Sequence, residues 1–455
     1  VNTSYDVRFW EIRRNASSKR PSYVARWKVG PKEKSKTFRT KALAENFMSD
    51  LRQAAKRGEA FDVATGLPES MAKPSDAGPT FFEFARSYMA ARWVHSAART
   101  RETMTYALLS LVPALVKDLP GRPDDEDLRA VLREYAFLPE KRRGELRPEL
   151  KSALGWLEAA SLPLADLMEP AVIRSALDAI ALRFNGEPAA ANTVRRKRAV
   201  LHHLLESGVE LKKLPANPLH AVKWKPPKAA GTVDPRTVVN PAQARALLDA
   251  VAQVGRTRGP RMMAMFACMY YAALRPEEAS GLRRQNCELP AEGWGLIVLE
   301  QARPQANKRW TNSGETHDER SLKHRAKGDT REIPIPPVLV AILRGHIAAY
   351  GTAKDGRLFR TSKGRPYSSS AYSAVWQEAR RLAFTVEQVA SPLAARPYDL
   401  RHAAVSLWLN AGVPPTEVAQ RAGHGVEVLL RVYAKCLEGQ RARANEQIAA
   451  VLQHE

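Results

Sequence analysis

A chain of 455 residues that is 44% hydrophobic has too much apolar side chain for wholesale disorder and too many residues for one ordinary core, so two to three domains are expected. Its 71 Lys and Arg against 48 Asp and Glu leave a formal charge of +23, which points to an anionic partner such as a nucleic-acid backbone. Three cysteines without a Cys-x-x-Cys pair exclude a disulfide frame, the apolar run 262–274 is too short to cross a bilayer, and the amino end carries no export pattern, so a cytoplasmic protein is expected.

Residues 1–65 read as a small β-rich unit followed by a helix. Tyr5, Val7 and Phe9 alternate with polar neighbours, and so do Ala25, Trp27 and Val29, as half-buried strands require. A polar turn lies at 15–21, Gly30-Pro31 ends the second strand, and a third strand at 35–39 leads into a helix over 41–57 with Gly58 at its end. Basic residues outnumber acidic ones fifteen to seven here, which predicts a module resting on DNA phosphates.

Residues 71–78 read as a linker, and 79–225 as an all-α region with apolar positions such as Leu108, Leu111, Leu115, Ile173, Leu177 and Ile180. One helix there is expected to be capped by Asn192 or Thr193 and closed by Gly208. Arg195, Arg196, Lys197 and Arg198 crowd its first turns. Like charges so close repel one another unless an anion offsets them, so these four are candidate DNA contacts. A Pro-rich linker follows at 226–240. Residues 241–440 mix helices with strands near 296–300 and 332–336, and 441–455 form a tail.

Within 241–440 the residue types suit phosphate chemistry. Arg275 precedes Pro276-Glu277-Glu278 and so stands at a helix start, where phosphate is welcome. Asp399 can cap a helix over 400–409 whose Leu400, Ala404 and Leu407, with Ala411 beyond, face the core; Arg401 in its first turn opposes the helix dipole and wants an anionic partner. His402 follows it. A short helix over 417–422 ends at Gly423, His424 follows at the turn, and a last helix carries Val428, Leu429, Val432 and Tyr433. A guanidinium can grip a phosphate with two parallel hydrogen bonds, an imidazole can add a donor, and a phenol can attack phosphorus.

This order of residues resembles the tyrosine recombinases, or phage-type integrases. Tyr-Ala-Ala-Leu-Arg275-Pro-Glu-Glu278 is similar to the family's first-arginine box, Asp-Leu-Arg401-His402 to its second, and Ala-Gly-His424 to its histidine box, with Tyr433 where the nucleophile belongs. The wording of 392–440 is closest to integrases of actinobacterial mobile elements. The resemblance implies three parts: an arm-binding-like β unit, a helical core-binding domain of the SAM-like kind, and a mainly α, mixed α+β catalytic domain.

The resemblance also implies a reaction. Tyr433 would attack the scissile phosphate to give a 3′-phosphotyrosyl link, Arg275 and Arg401 would bind the non-bridging oxygens, and His424 would add a hydrogen bond and help move the tyrosine proton. Glu278 would orient its surroundings. A lysine on a β-hairpin would protonate the leaving 5′-oxygen; Lys323 and Lys327 are the candidates, and Lys323 is preferred on the wording of 322–331. Where the family often carries His three residues before the second arginine, this chain has Tyr398, a poor proton shuttle near neutrality. The implied partners are double-stranded DNA attachment sites, further copies of the chain in a tetramer, and an accessory DNA-bending or excisionase protein. No metal, ATP or other cofactor is implied, and the expected place of action is the bacterial nucleoid.

Two other readings compete. Residues 414–435 are spaced like a helix-turn-helix, but the second helix begins Gly-Val-Glu-Val-Leu-Leu, apolar and acidic where a groove reader is polar or basic. A metal-dependent nuclease would need a His-Glu-x-x-His motif or a carboxylate cluster, and neither is present.

Overall fold

The computed structural model describes residues 3–15, 22–68, 70–71, 78–228, 231–322 and 328–436, with 445–446, 448–449 and 452 beyond them. In the amino-terminal unit Ser22–Val29 is the central strand. It pairs antiparallel with Lys32–Phe38 on one edge and with Val7–Phe9 and Arg13–Asn15 on the other. Gly30, at φ +56°, makes the tight return between the two long strands. Alternation turns Ala25, Trp27 and Val29 inward, where they share a core with Met48, Leu51 and Ala54 of the Lys41–Lys56 helix. Tyr5 departs from the expected alternation and is 75% exposed. The chain pairs first at Thr3–Ser4 with Phe61–Asp62 and bends before it enters the sheet at Val7.

The next region is helical. Phe81–Trp93, Ala98–Leu111, Pro148–Ala160, Pro170–Ala181 and Ala191–Glu210 pack around one core that includes Leu108, Leu111, Leu115, Ile173, Leu177 and Ile180. The long helix Ala191–Glu210 differs from expectation at both ends. It starts earlier, so Asn192 and Thr193 lie inside its first turn and Ala190 precedes it without a side-chain cap. Gly208 is not its stop but a buried contact: a Cβ there would stand 3.1 Å from Leu214.

Beyond residue 231 the chain builds a helical body around a three-stranded antiparallel sheet ordered Arg331–Ile335, Gly295–Leu299, Cys287–Glu288. The apolar run forms the helix Pro260–Tyr271, buried over Ala264–Tyr270. An excursion between the short strands Gln301–Ala302 and Arg320–Ser321 reaches across to the helical region. Trp310 joins that region's core, and Arg101, 1% exposed, donates to Trp310 O (2.7 Å) and Asn312 Oδ1 (2.8 Å). Within the expected Pro-rich linker Val233 is held: it is buried, and its N–H donates to Val432 O at 2.8 Å. Among the described residues no helix is long and apolar enough to cross a membrane.

Candidate active site

The first arginine is fixed by its own helix start. Pro276 opens the helix Pro276–Gly281, and Glu278 reaches back one turn to accept from the Arg275 N–H and from Arg275 Nη1, both at 2.8 Å. Arg275 Nη2 donates to Gly423 O at 2.8 Å. A third guanidinium, which the sequence reading did not single out, completes this corner. Arg331, 2% exposed, donates to Glu278 Oε1 (3.0 Å) and Oε2 (2.7 Å). Strand alternation carried the signal, since Arg331, Ile333 and Ile335 are the inward positions of Arg331–Ile335.

The second arginine comes from the helix Asp399–Asn410. Asp399 is the first helical residue rather than the cap, and its carboxylate accepts from Arg396 N–H (2.8 Å) and Nη2 (3.0 Å). The buried face is also rotated from the one expected: Arg401, Val405 and Leu409 are inside with Leu400 and Ala404, whereas Leu407 and Ala411 are exposed. Arg401 is fully buried. Its guanidinium leans away from its own helix and donates to the carbonyls of Ala273 and Ala422. Both carbonyls lie just past or at the carboxyl end of another helix, Pro260–Tyr271 and Pro415–Ala422, where orphan acceptors and the negative end of the dipole collect. That answers how a cation survives in a helix first turn.

Backbone shape makes this convergence possible. Gly423 ends Pro415–Ala422 in the left-handed region at φ +64°, and a Cβ there would collide with the Arg331 guanidinium and stand 3.3 Å from that of Arg275. Ala273 takes φ +49° without being glycine, a conformation costing on the order of 1–2 kcal/mol, and its carbonyl is the one Arg401 holds.

The histidines and the tyrosine close the cluster. Arg401 Nη2 lies 2.8 Å from His424 Nε2. A guanidinium can only donate, so Nε2 accepts and neutral His424 carries its proton on Nδ1. Burial, then Arg401 and Arg275, hold His424 down at about 3. His402 is the side chain on the tyrosine: its Nδ1 lies 2.9 Å from the Tyr433 hydroxyl. Burial lowers His402 to about 4, so it too is neutral near pH 7. Tyr433 is fully buried, and burial lifts its phenol well above the usual range against the pull of Arg401. Burial raises the Glu278 carboxyl, but Arg331 and Arg275 outweigh it and leave the group at about 2. Three guanidiniums thus surround one ionised carboxylate with both imidazoles neutral, an arrangement that calls for a further anion.

Arg275, Glu278, Arg401, His402, His424 and Tyr433 are therefore brought into one cluster. Tyr398 sits at its rim, edge-on to His402 with ring centroids 5.1 Å apart. Lys323 and Lys327 lie outside the described residues. The four cations of the long helix do not share a surface: Arg195 and Arg196 are exposed, but Lys197 is buried and donates to Ser110 Oγ (2.8 Å) and Leu182 O (3.0 Å). Arg198 stacks over Trp224 at 5.1 Å. The helix Val426–Tyr433 turns Val426, Glu427, Val428, Leu430 and Arg431 outward, with Arg431 paired to Glu427 at 3.4 Å, a largely apolar and charge-compensated face unsuited to a DNA groove.

Residues 237–438 match the model of the phage integrase family. Solved structures that the chain resembles include the Tn1549 transposon integrase in complex with a circular intermediate DNA, at 16% identity over 68% of this chain and 96% of that one, TM-score 0.48. XerH site-specific recombinase bound to its difH substrate is similar at 12% identity over 76% and 94%, TM-score 0.43. The lambda integrase bound to DNA is similar at 12% identity over 64% and 89%, TM-score 0.39. No curated protein matches the chain.

Proposed function

We propose that this chain, whose residues 237–438 match the phage integrase family, cuts and rejoins DNA at specific sites through a 3′-phosphotyrosyl intermediate on Tyr433. The observation that carries the reading is the convergence of Arg275, Arg331 and Arg401 on the same buried corner as the Tyr433 hydroxyl. A phosphodiester is the anion such a corner fits, since planar guanidiniums can hold its two non-bridging oxygens and stabilise the charge that builds on them at the transition state. Glu278 keeps Arg275 and Arg331 in place, and a phosphate would compete for the donors that Arg275 and Arg401 now give to the carbonyls of Gly423, Ala273 and Ala422.

The hydrogen bond between Tyr433 and His402 supports the first step of the proton route, and the family resemblance supplies Lys323 for the second. Tyr433 Oη bonds to phosphorus as its proton passes to His402 Nδ1, the P–O5′ bond breaks, and the leaving 5′-oxygen takes a proton from Lys323. Rejoining runs the same steps backward, so the bond energy stays in the protein–DNA ester and no ATP is consumed. Because burial raises Tyr433 and lowers His402, a free phenolate is costly here, and proton loss accompanies attack rather than preceding it. This reading gives His402 the proton-moving role that the family resemblance implies for His424. His424, engaged through Nε2, holds Arg401 and offers Nδ1–H as a donor.

On the same reading, the basic β unit and the helical region embrace double-stranded DNA, copies assemble on paired attachment sites as a tetramer with an accessory bending or excisionase protein, and a mobile element is integrated or excised in the bacterial nucleoid. The test is a nicked suicide substrate carrying the cognate site, incubated without ATP or magnesium. A covalent protein–DNA band is expected with the natural chain and none with Tyr433→Phe; a band that requires magnesium, or that survives the substitution, overturns the reading.

A further inference from the structure

The long helix Ala191–Glu210 carries a second chemical feature, away from its cation run. His202 and Glu206 stand one turn apart on it, and His220 ends the single turn Pro218–His220 that leads towards the inter-lobe linker. The two imidazoles aim at one carboxylate oxygen: His202 Nε2 lies 3.6 Å and His220 Nε2 4.0 Å from Glu206 Oε1. One ligand atom from each of the three falls within 4.8 Å of the others, the one such group of His, Cys, Asp or Glu among the described residues.

We propose that His202, Glu206 and His220 form a transition-metal site of the zinc class, which staples the Pro218–His220 turn to the long helix. Two imidazoles and a carboxylate are an accepted zinc ligand set, with a fourth position left to water. Ligand atoms on a tetrahedral zinc, with bonds of about 2.0–2.1 Å, stand roughly 3.3 Å apart, so the observed spacings need only small side-chain adjustments. A plain surface ion pair would account for one imidazole on the carboxylate; it does not account for two, supplied by two elements and brought to the same oxygen.

The surroundings hold the three in place. Asn217, 5% exposed, donates through Nδ2 to Glu206 Oε1 (2.7 Å) and to His202 O (3.3 Å), while its Oδ1 accepts from Leu219 N–H (3.1 Å). One buried amide thus ties the helix, the carboxylate and the turn together, the kind of hydrogen bond that orients a ligating carboxylate. His203, next in sequence, is exposed and meets His202 edge-on with ring centroids 5.7 Å apart; it serves as a built-in control.

The inference does not rest on the recombinase reading and is tested without DNA. The full chain, free of any oligohistidine tag, is titrated with Zn(II) against a chromophoric chelator and with Co(II) followed by its visible absorption. One metal ion per chain is expected, with affinity at least about tenfold weaker in His220→Ala and in Glu206→Gln and unchanged in His203→Ala. His220 is exposed, so its loss leaves the fold intact, and zinc should raise the melting temperature of the natural chain but not that of His220→Ala. Failure to hold zinc against the chelator, or equal affinity in His220→Ala and Glu206→Gln, would overturn the assignment.

Discussion

Two places in this molecule crowd cations, and they are built on opposite principles. On the long helix four basic residues are consecutive, yet the helix scatters them: Arg195 and Arg196 to solvent, Lys197 into the interior, Arg198 onto Trp224. In the carboxyl-terminal lobe Arg275, Arg331 and Arg401 are far apart in sequence, yet the fold brings them to one carboxylate and a set of helix-end carbonyls. Adjacency along the chain makes a wet charged surface; convergence from separate elements makes a desolvated site, where a guanidinium acts far more strongly on a phosphate.

The sharpest way to break this contrast is at the convergent site. Arg401→Lys keeps the charge but loses the fork that reaches Ala273, Ala422 and His424, and strand cleavage should fall on the order of 10²–10³-fold in single-turnover assays. Glu278→Gln removes the carboxylate shared by two buried guanidiniums and should cost about 3–5 kcal/mol, read from the urea midpoint. An unchanged midpoint would mean the cluster is wetter than its burial indicates.

Acid should separate the two regions as well. The unfolded chain protonates His402 and His424 below pH 6.5, whereas burial delays this to about 4 and 3 in the fold, so stability present above pH 6.5 is lost as pH falls. Glu278 adds a second loss between 4.5 and about 2. Denaturation of His402→Asn should accordingly depend less on pH between 6.5 and 4 than that of the natural chain. The smallest effects belong to the scattered run. Arg195→Ala and Arg196→Ala should each lower the salt slope of DNA binding by about 1, while Lys197→Ala should lower stability and leave the slope alone.

Much of the site was legible because local rules govern it. Pro276 and Glu278 mark Arg275 as a helix start and Gly423 marks the turn before His424, whereas Arg331 was not singled out although alternation places it on the inner face of its strand. What was illegible depends on how elements rotate against each other. The helix Asp399–Asn410 buries Arg401 and Val405 rather than Leu407, because acceptors from the ends of two other helices take the terminal N–H groups of the guanidinium, and no apolar period encodes that. The His402–Tyr433 hydrogen bond likewise joins two helices whose packing angle the sequence does not state. Trp310 lies in the polar stretch between Ala302 and Arg320, and only its burial in the helical region reveals an anchor.

The account stands on one phenol reaching the phosphate held by the converged guanidiniums. Its most direct measurement is peptide mapping of the covalent adduct trapped on a suicide substrate, with mass spectrometry locating the nucleotide-bearing residue. Attachment at Tyr433 is the predicted result; attachment at Tyr398, or at any residue outside the buried cluster, would contradict it.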